Sequence, residues 1–295
     1  MRALALLLFF LAAQPIAAAE LSLPSDEIAK QANIYASKGE QRPEGYVIGR
    51  SLLSYSAALP EKFVEALATL GTEDRWLDIG AGEGRAVLDY RTAKYDAMLQ
   101  AARKLSGKAK AIAISIEDRR TAYWHDTAAA LGEKEIRYLF GRSFRDYSRE
   151  DLGGEFDVIT DVFGGFSYTR DISLFMEKAL GLLEVNGTFF SVLQDVRWED
   201  GSNKPFYPNA PFLTQLTNAD GSELKICTWL KSISCVQVTC ETKEASPPVE
   251  MYAVRKTCDQ VNVPKLVPVH FQAGTPPERG FKISSPAQVA QQPAR

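Results

Sequence analysis

Basic clusters are absent from this chain. Its 34 Lys and Arg are dispersed among 295 residues that also carry 37 Asp and Glu, for a net charge of −3 at pH 7. Nucleic-acid binders concentrate positive charge on one patch, so neither DNA nor RNA is an expected partner. Histidine is scarce: only His125 and His270 occur. Neither lies near the cysteines in sequence and no C-x-x-C pair exists, so no metal site is expected. His125 falls in a predicted helix over 119–131, where a lone histidine is ordinarily a surface residue, and His270 is given no role. There is no internal repeat. No apolar run reaches the roughly 20 residues that a membrane-spanning helix needs.

What is present begins with Met1-Arg2, a short apolar core and Ala17-Ala18-Ala19. One positive charge, a short apolar stretch and small residues before Glu20 read as a secretory signal peptide over 1–19. The expected location is therefore periplasmic or secreted, with no stable membrane insertion after cleavage. No cysteine follows the cleavage site, so a lipid anchor there is not expected. All four cysteines, Cys227, Cys235, Cys240 and Cys258, come late. An even number in an exported chain suggests one or two disulfides, and three connectivities are open. Cys227 with Cys235 across a hairpin, and Cys240 with Cys258 at its edge, is the preferred pairing. Residues 20–59 read as a helical cap, with Ser25 opening a helix over 26–37. Residues 60–258 read as one large α/β domain, and the proline-rich 259–295 as an extended or disordered tail.

The most informative stretch is Trp76-Leu77-Asp78-Ile79-Gly80-Ala81-Gly82-Glu83-Gly84. An apolar run ends in an acid, alternating glycines follow, and a helical pattern starts at Arg85. This is a strand, a tight turn and a helix N-terminus. Glycines accept positive φ and let a ligand press against main-chain amides, while the helix end favours an anion. The dinucleotide fingerprint G-x-G-x-x-G is a poor match, because Arg85 stands where its third glycine should be. The segment resembles instead motif I of the class I S-adenosylmethionine-dependent methyltransferases.

That resemblance implies a Rossmann-like three-layer α/β sandwich, with a mostly parallel seven-stranded sheet and one antiparallel strand. It implies that Asp78, Gly80, Ala81, Gly82 and Gly84 hold the amino-acid end of S-adenosylmethionine. It makes the acid after the second strand, Glu117 with Asp118 as understudy, the grip on the ribose hydroxyls, a task that suits a carboxylate accepting two protons. Aligning Ser115 with that position is the alternative register. After the third strand (136–140) the family often has Gly-Asp toward adenine. Here the residues are Gly141-Arg142-Ser143, so Arg142, Ser143 or a main-chain group would take that place. The fourth strand (156–161) resembles motif IV and ends in Asp161, the candidate base or orienting group, with Tyr168 as a second candidate base. Phe163, Phe166, Tyr168 and Trp198 are aromatics suited to a sulfonium. Arg50 is suited to a carboxylate. A helix over 171–183 and the turn at Asn186-Gly187 lead to a fifth strand, and strands over 224–230, 236–241 and 249–255 complete the domain.

The expected function is methyl transfer to a small molecule or protein side chain. S-adenosylmethionine is made inside cells, so the signal peptide and Arg142 also favour a rival, an exported binding module that keeps the fold without catalysis. Aminopropyl transfer is a lesser rival. Its enzymes carry paired acids in motif IV, whereas Asp161 is followed by Val162 and Phe163.

Overall fold

The computed structural model describes residues 49–93, 105–132, 134–194, 213–243, 249–272 and 277–284. The expected signal peptide, the expected cap helix over 26–37 and Trp198 lie outside the described residues. In chain order the strands are β1 (Arg75–Ile79), β2 (Lys110–Ile114), β3 (Ile136–Leu139), β4 (Phe156–Val162), β5 (Leu183–Gln194), β6 (Thr214–Thr217), β7 (Glu223–Leu224), β8 (Val236–Lys243), β9 (Val249–Lys256), β10 (Leu266–Gln272) and β11 (Glu278–Ile283). The helices are α1 (Leu52–Ala58), α2 (Lys62–Thr69), α3 (Arg85–Thr92), α4 (Ala122–Leu131), α5 (Gly165–Tyr168), α6 (Ile172–Gly181) and α7 (Ile226–Lys231).

Seven strands form the main sheet in the order β3-β2-β1-β4-β5-β9-β8. β9 is antiparallel to β5 and β8, and the other neighbours are parallel. This is the mostly parallel Rossmann-like sheet with one antiparallel strand. β1 and β2 read as continuous apolar runs because both their faces are covered. On one face α1, α2 and α3 pack Tyr55, Phe63, Leu67 and Val87 against Trp76, Val158 and Phe190. On the other, α6 and α7 pack Phe175, Met176, Leu180 and Trp229 against Ile79, Ile159 and Phe189.

Three expectations are corrected. Part of the segment 224–230 is helix α7, not strand, because Ile226, Trp229 and Leu230 are its buried residues, at helical spacing. The tail is not uniformly extended or disordered: β10 and β11 pair with each other, and β11 runs parallel to β6 in a second sheet of order β10-β11-β6-β7. Pro268 is tolerated because β10 is an edge strand and its pairing shifts at that point. Burial of Leu266, Arg279 and Phe281 holds the hairpin down. The disulfides are Cys227–Cys240 and Cys235–Cys258. The antiparallel register places Val236 opposite Lys256, which brings Cys235 beside Cys258, while α7 lies against β8 and offers it Cys227.

Candidate functional site

Asp78 is the last but one residue of β1 and is fully buried. The Tyr55 hydroxyl of α1 donates toward its two oxygens at 3.1 and 3.0 Å. Thr160 Oγ1, its register partner on β4, donates to Oδ1 at 2.8 Å and accepts from Trp76 Nε1 at 2.8 Å. Burial pushes the Asp78 carboxyl up to about 7, against the opposing effect of these two donors. Burial, and then Asp78, raise the Tyr55 phenol well above its usual value.

The turn after β1 has Gly80, Gly82 and Gly84 at φ 73°, 56° and 69°, all left-handed. A Cβ on Gly80 would lie 2.5 Å from Gly164 Cα, so this turn and the loop after β4 meet backbone to backbone. A Cβ on Gly84 would strike the Trp124 ring of α4 at 2.4 Å. Two of the glycines are therefore demanded by packing within the protein. The Ala81 amide donates to Ile114 O and the Gly84 amide to Ala81 O, at 2.9 and 2.8 Å. The segment before α1 runs close by. A Cβ on Gly49 would meet Glu83 Oε2 at 2.8 Å, and the Leu52 amide donates to Asp89 of α3 at 3.1 Å. Arg50 sits over the Phe163 ring at 5.1 Å, and its charge lowers the pKa of Asp78.

Phe163 follows β4 at φ 51°. A left-handed aromatic costs about 1–2 kcal/mol and persists only where the surroundings enforce it. Asp161 supplies one restraint. It is fully buried, and its carboxylate accepts from the amides of Gly164 and Phe166, each at 3.0 Å. Its register partner on β1 is Ile79 rather than Asp78, so strand alternation turns it to the α6 face, opposite Asp78. Burial raises its pKa to about 7, while the amide bonds and Arg279 pull it down. Arg279 of β11 is itself fully buried. It donates to Phe166 O and Thr169 O, both at 2.8 Å, and its Nε and other terminal nitrogen donate to Thr214 Oγ1 at 3.2 and 2.8 Å. Burial lowers its pKa to about 9. Tyr168 is half-buried at the end of α5.

The β2 and β3 ends are built differently. β2 stops at Ile114, so the residue directly after the strand is Ser115, and Glu117 and Asp118 lie further out in the loop. Glu117 is ion-paired with Arg119. Asp118 meets Arg120 at 2.7 and 2.8 Å, which lowers its pKa. Arg120 also lies over Phe140 at 4.9 Å. The Tyr138 hydroxyl reaches the carbonyl oxygens of Gly82 and Glu117, accepts from the Arg119 amide at 3.3 Å and bonds the Ser115 side chain. It thus ties the glycine turn to the β2 loop. Arg142 points to Asp151 at 3.3 Å and lies over the Tyr147 ring at 4.9 Å. Ser143 bonds Asp146 within a single 3-10 turn.

The structure therefore brings together Asp78, Gly80–Gly84, Arg50 and Phe163. It places Asp161 behind them and sets Arg142 and Ser143 within their own loop. Sequence reasoning passed over Tyr55, Thr160, Tyr138 and Arg279. Thr160 carried a signal, a polar residue inside an apolar run beside Asp161. Tyr138 lay inside the expected third strand, and Arg279 in the supposed tail. S-adenosylmethionine fits this residue set. The left-handed turn would cradle its amino-acid end, and Phe163 would offer an aromatic face to its cation. To reach a ribose, Glu117 or Asp118 would have to leave a half-exposed ion pair, which is worth about 0–1 kcal/mol.

No protein-family model matches the chain, and no curated protein matches it in sequence. Among solved structures, the N-methyltransferase NodS from Bradyrhizobium japonicum is 12% identical, over 67% of this chain and 94% of that one, with a TM-score of 0.40. A putative O-methyltransferase from Klebsiella pneumoniae is 13% identical, over 78% of this chain and 96% of that one, also at 0.40. Geranyl diphosphate C-methyltransferase from Streptomyces coelicolor, solved with S-adenosyl-L-homocysteine, is 15% identical over 51% of this chain, with a TM-score of 0.35. This chain spans 47% of that enzyme's length. At these values the likenesses carry no activity or acceptor across to this chain.

Proposed function

We propose that this chain is an exported methyltransferase that uses S-adenosylmethionine and acts on a small molecule or a protein side chain. The observation that carries the reading is the left-handed Gly80, Gly82 and Gly84 turn, set between a buried strand-end carboxylate and the Arg50–Phe163 pair. When bound, the cofactor supplies a methyl group already activated on a cationic sulfur. Arg50 and the amides of Gly82 and Glu83 hold the amino-acid end, with Asp78 beneath them. Phe163 offers its face to the cation, a contact worth roughly 0.5–2 kcal/mol. Glu117 or Asp118 takes the ribose hydroxyls. The remaining work of the protein is to align an acceptor and exclude water. Asp161 keeps the Phe163 loop in shape. Tyr168 is the group assigned to take a proton from an acceptor that must lose one. The two disulfides support the export reading, since such bonds persist in oxidising compartments.

A second reading is an exported binding module without catalysis. It is favoured by the carboxylates of Asp78, Asp161, Glu117 and Asp118, which all have partners within the chain. Calorimetric titration of the chain with S-adenosylhomocysteine separates the two. Micromolar binding that disappears in Gly82→Val supports the methyltransferase. No heat at millimolar ligand supports the module. Cell fractionation with a tagged chain checks the location, and uncleaved protein in the cytosol rejects export.

A further inference from the structure

We infer that Arg279, from the C-terminal hairpin, is a positioning residue that holds the loop after β4 in the shape that presents Phe163 to the ligand. Three observations support this. First, the loop is held on both its polar sides: Asp161 accepts the amides of Gly164 and Phe166, and Arg279 donates to the carbonyls of Phe166 and Thr169. Secondly, Phe163 lies at φ 51°, a conformation an aromatic does not keep without such restraint. Thirdly, the guanidinium is anchored from behind. Its Nε and one terminal nitrogen converge on Thr214 Oγ1 of β6, and its own amide donates to Leu213 O at 2.7 Å. A planar fork serves three acceptors in fixed directions, which a lysine ammonium on a flexible stem does not reproduce.

The chain places this arginine 118 positions beyond Asp161 — 279 minus 161 — so the second sheet is more than an appendage to the first. It reaches into the strand-end rim through the Arg279 side chain. The role of Phe163 toward a ligand rests on the methyltransferase reading, whereas the hold of Arg279 on the loop does not. Two readouts on the full chain keep the two apart. Hydrogen exchange followed by mass spectrometry reports the loop. In Arg279→Met the peptide covering 162–170 should exchange at least tenfold faster, while peptides covering 75–79 and 110–114 stay as in the parent. Titration with S-adenosylhomocysteine reports the ligand, and its affinity should fall at least tenfold in Arg279→Met and by less in Arg279→Lys. Thr214→Val loosens the anchor without touching the loop and should give a smaller change of the same kind. If Arg279→Met does not fold, Arg279→Lys and Thr214→Val carry both readouts. Unchanged loop exchange in the folded variants overturns the inference. So does exchange that rises equally across both sheets, or a loop that opens with no loss of affinity. If the parent chain does not bind the nucleoside, the methyl-donor reading falls and the exchange data alone decide the hold of Arg279.

Discussion

At the ends of β1 and β4 the acids Asp78 and Asp161 are wholly buried, and their oxygens take neutral donors, a phenol, a threonine hydroxyl and two amides. Past the end of β2 the acids Glu117 and Asp118 are partly exposed and each is matched by an arginine, and Arg142, past β3, is matched by the partly exposed Asp151 of the turn before β4. A buried carboxylate satisfied by neutral donors is fixed by folding itself, and removing a donor leaves an unmet polar group. A half-exposed ion pair is cheap to open and reform. The first half of the rim is thus fixed by folding, and the second half is the easier to rearrange.

This contrast is tested most severely at Gly80. An added methyl meets Gly164 Cα at 2.5 Å in a left-handed backbone, so Gly80→Ala should destabilise the chain by about 3–5 kcal/mol in urea unfolding. A loss under 1 kcal/mol would show that the two loops do not need each other. The next effect is on pH. Asp78 and Asp161 both have folded pKa values raised to about 7, above the ordinary carboxylate value. The folded state then binds more protons than the unfolded state between about pH 4 and pH 7, so stability falls as pH rises through that window. The unfolding free energy should be larger near pH 5 than near pH 8, by on the order of a few kcal/mol, and the melting temperature should follow it. Asp78→Asn should flatten part of that slope.

A smaller effect belongs to the other half. Glu117→Gln should change stability by no more than about 0.5–1 kcal/mol, yet lower the affinity for S-adenosylhomocysteine roughly tenfold. Asp118→Asn is its comparison, and an effect confined to the latter would move the ribose grip by one residue. The smallest effect is expected of Arg142→Ala. Its side chain serves Asp151 and Tyr147, so neither the midpoint of unfolding nor ligand affinity should shift measurably.

The contrast also explains what was legible in the sequence. The run from Trp76 to Gly84 was readable because glycine is the residue that readily accepts three left-handed positions in five residues, and because an acid interrupts the apolar run just before them. The register at the end of β2 was not readable. Residues 111–114 are apolar and buried throughout, so nothing in their order marks whether Ser115 or Glu117 stands at the strand end. Helix α7 escaped because six residues give barely more than one turn of periodicity, and once the supposed hairpin was a helix the disulfide pairing changed with it. The β10–β11 hairpin escaped because β11 is completed by β6, more than sixty residues earlier, and no local pattern announces a distant partner. The same distance concealed Arg279.

The most direct measurement is an amide NMR titration of the chain with S-adenosylhomocysteine. The account predicts that the Gly82, Glu83 and Phe163 amides shift together with those at 117–120, along one isotherm that saturates at micromolar ligand. Spectra unchanged at millimolar ligand, or shifts confined to 117–120, would contradict it.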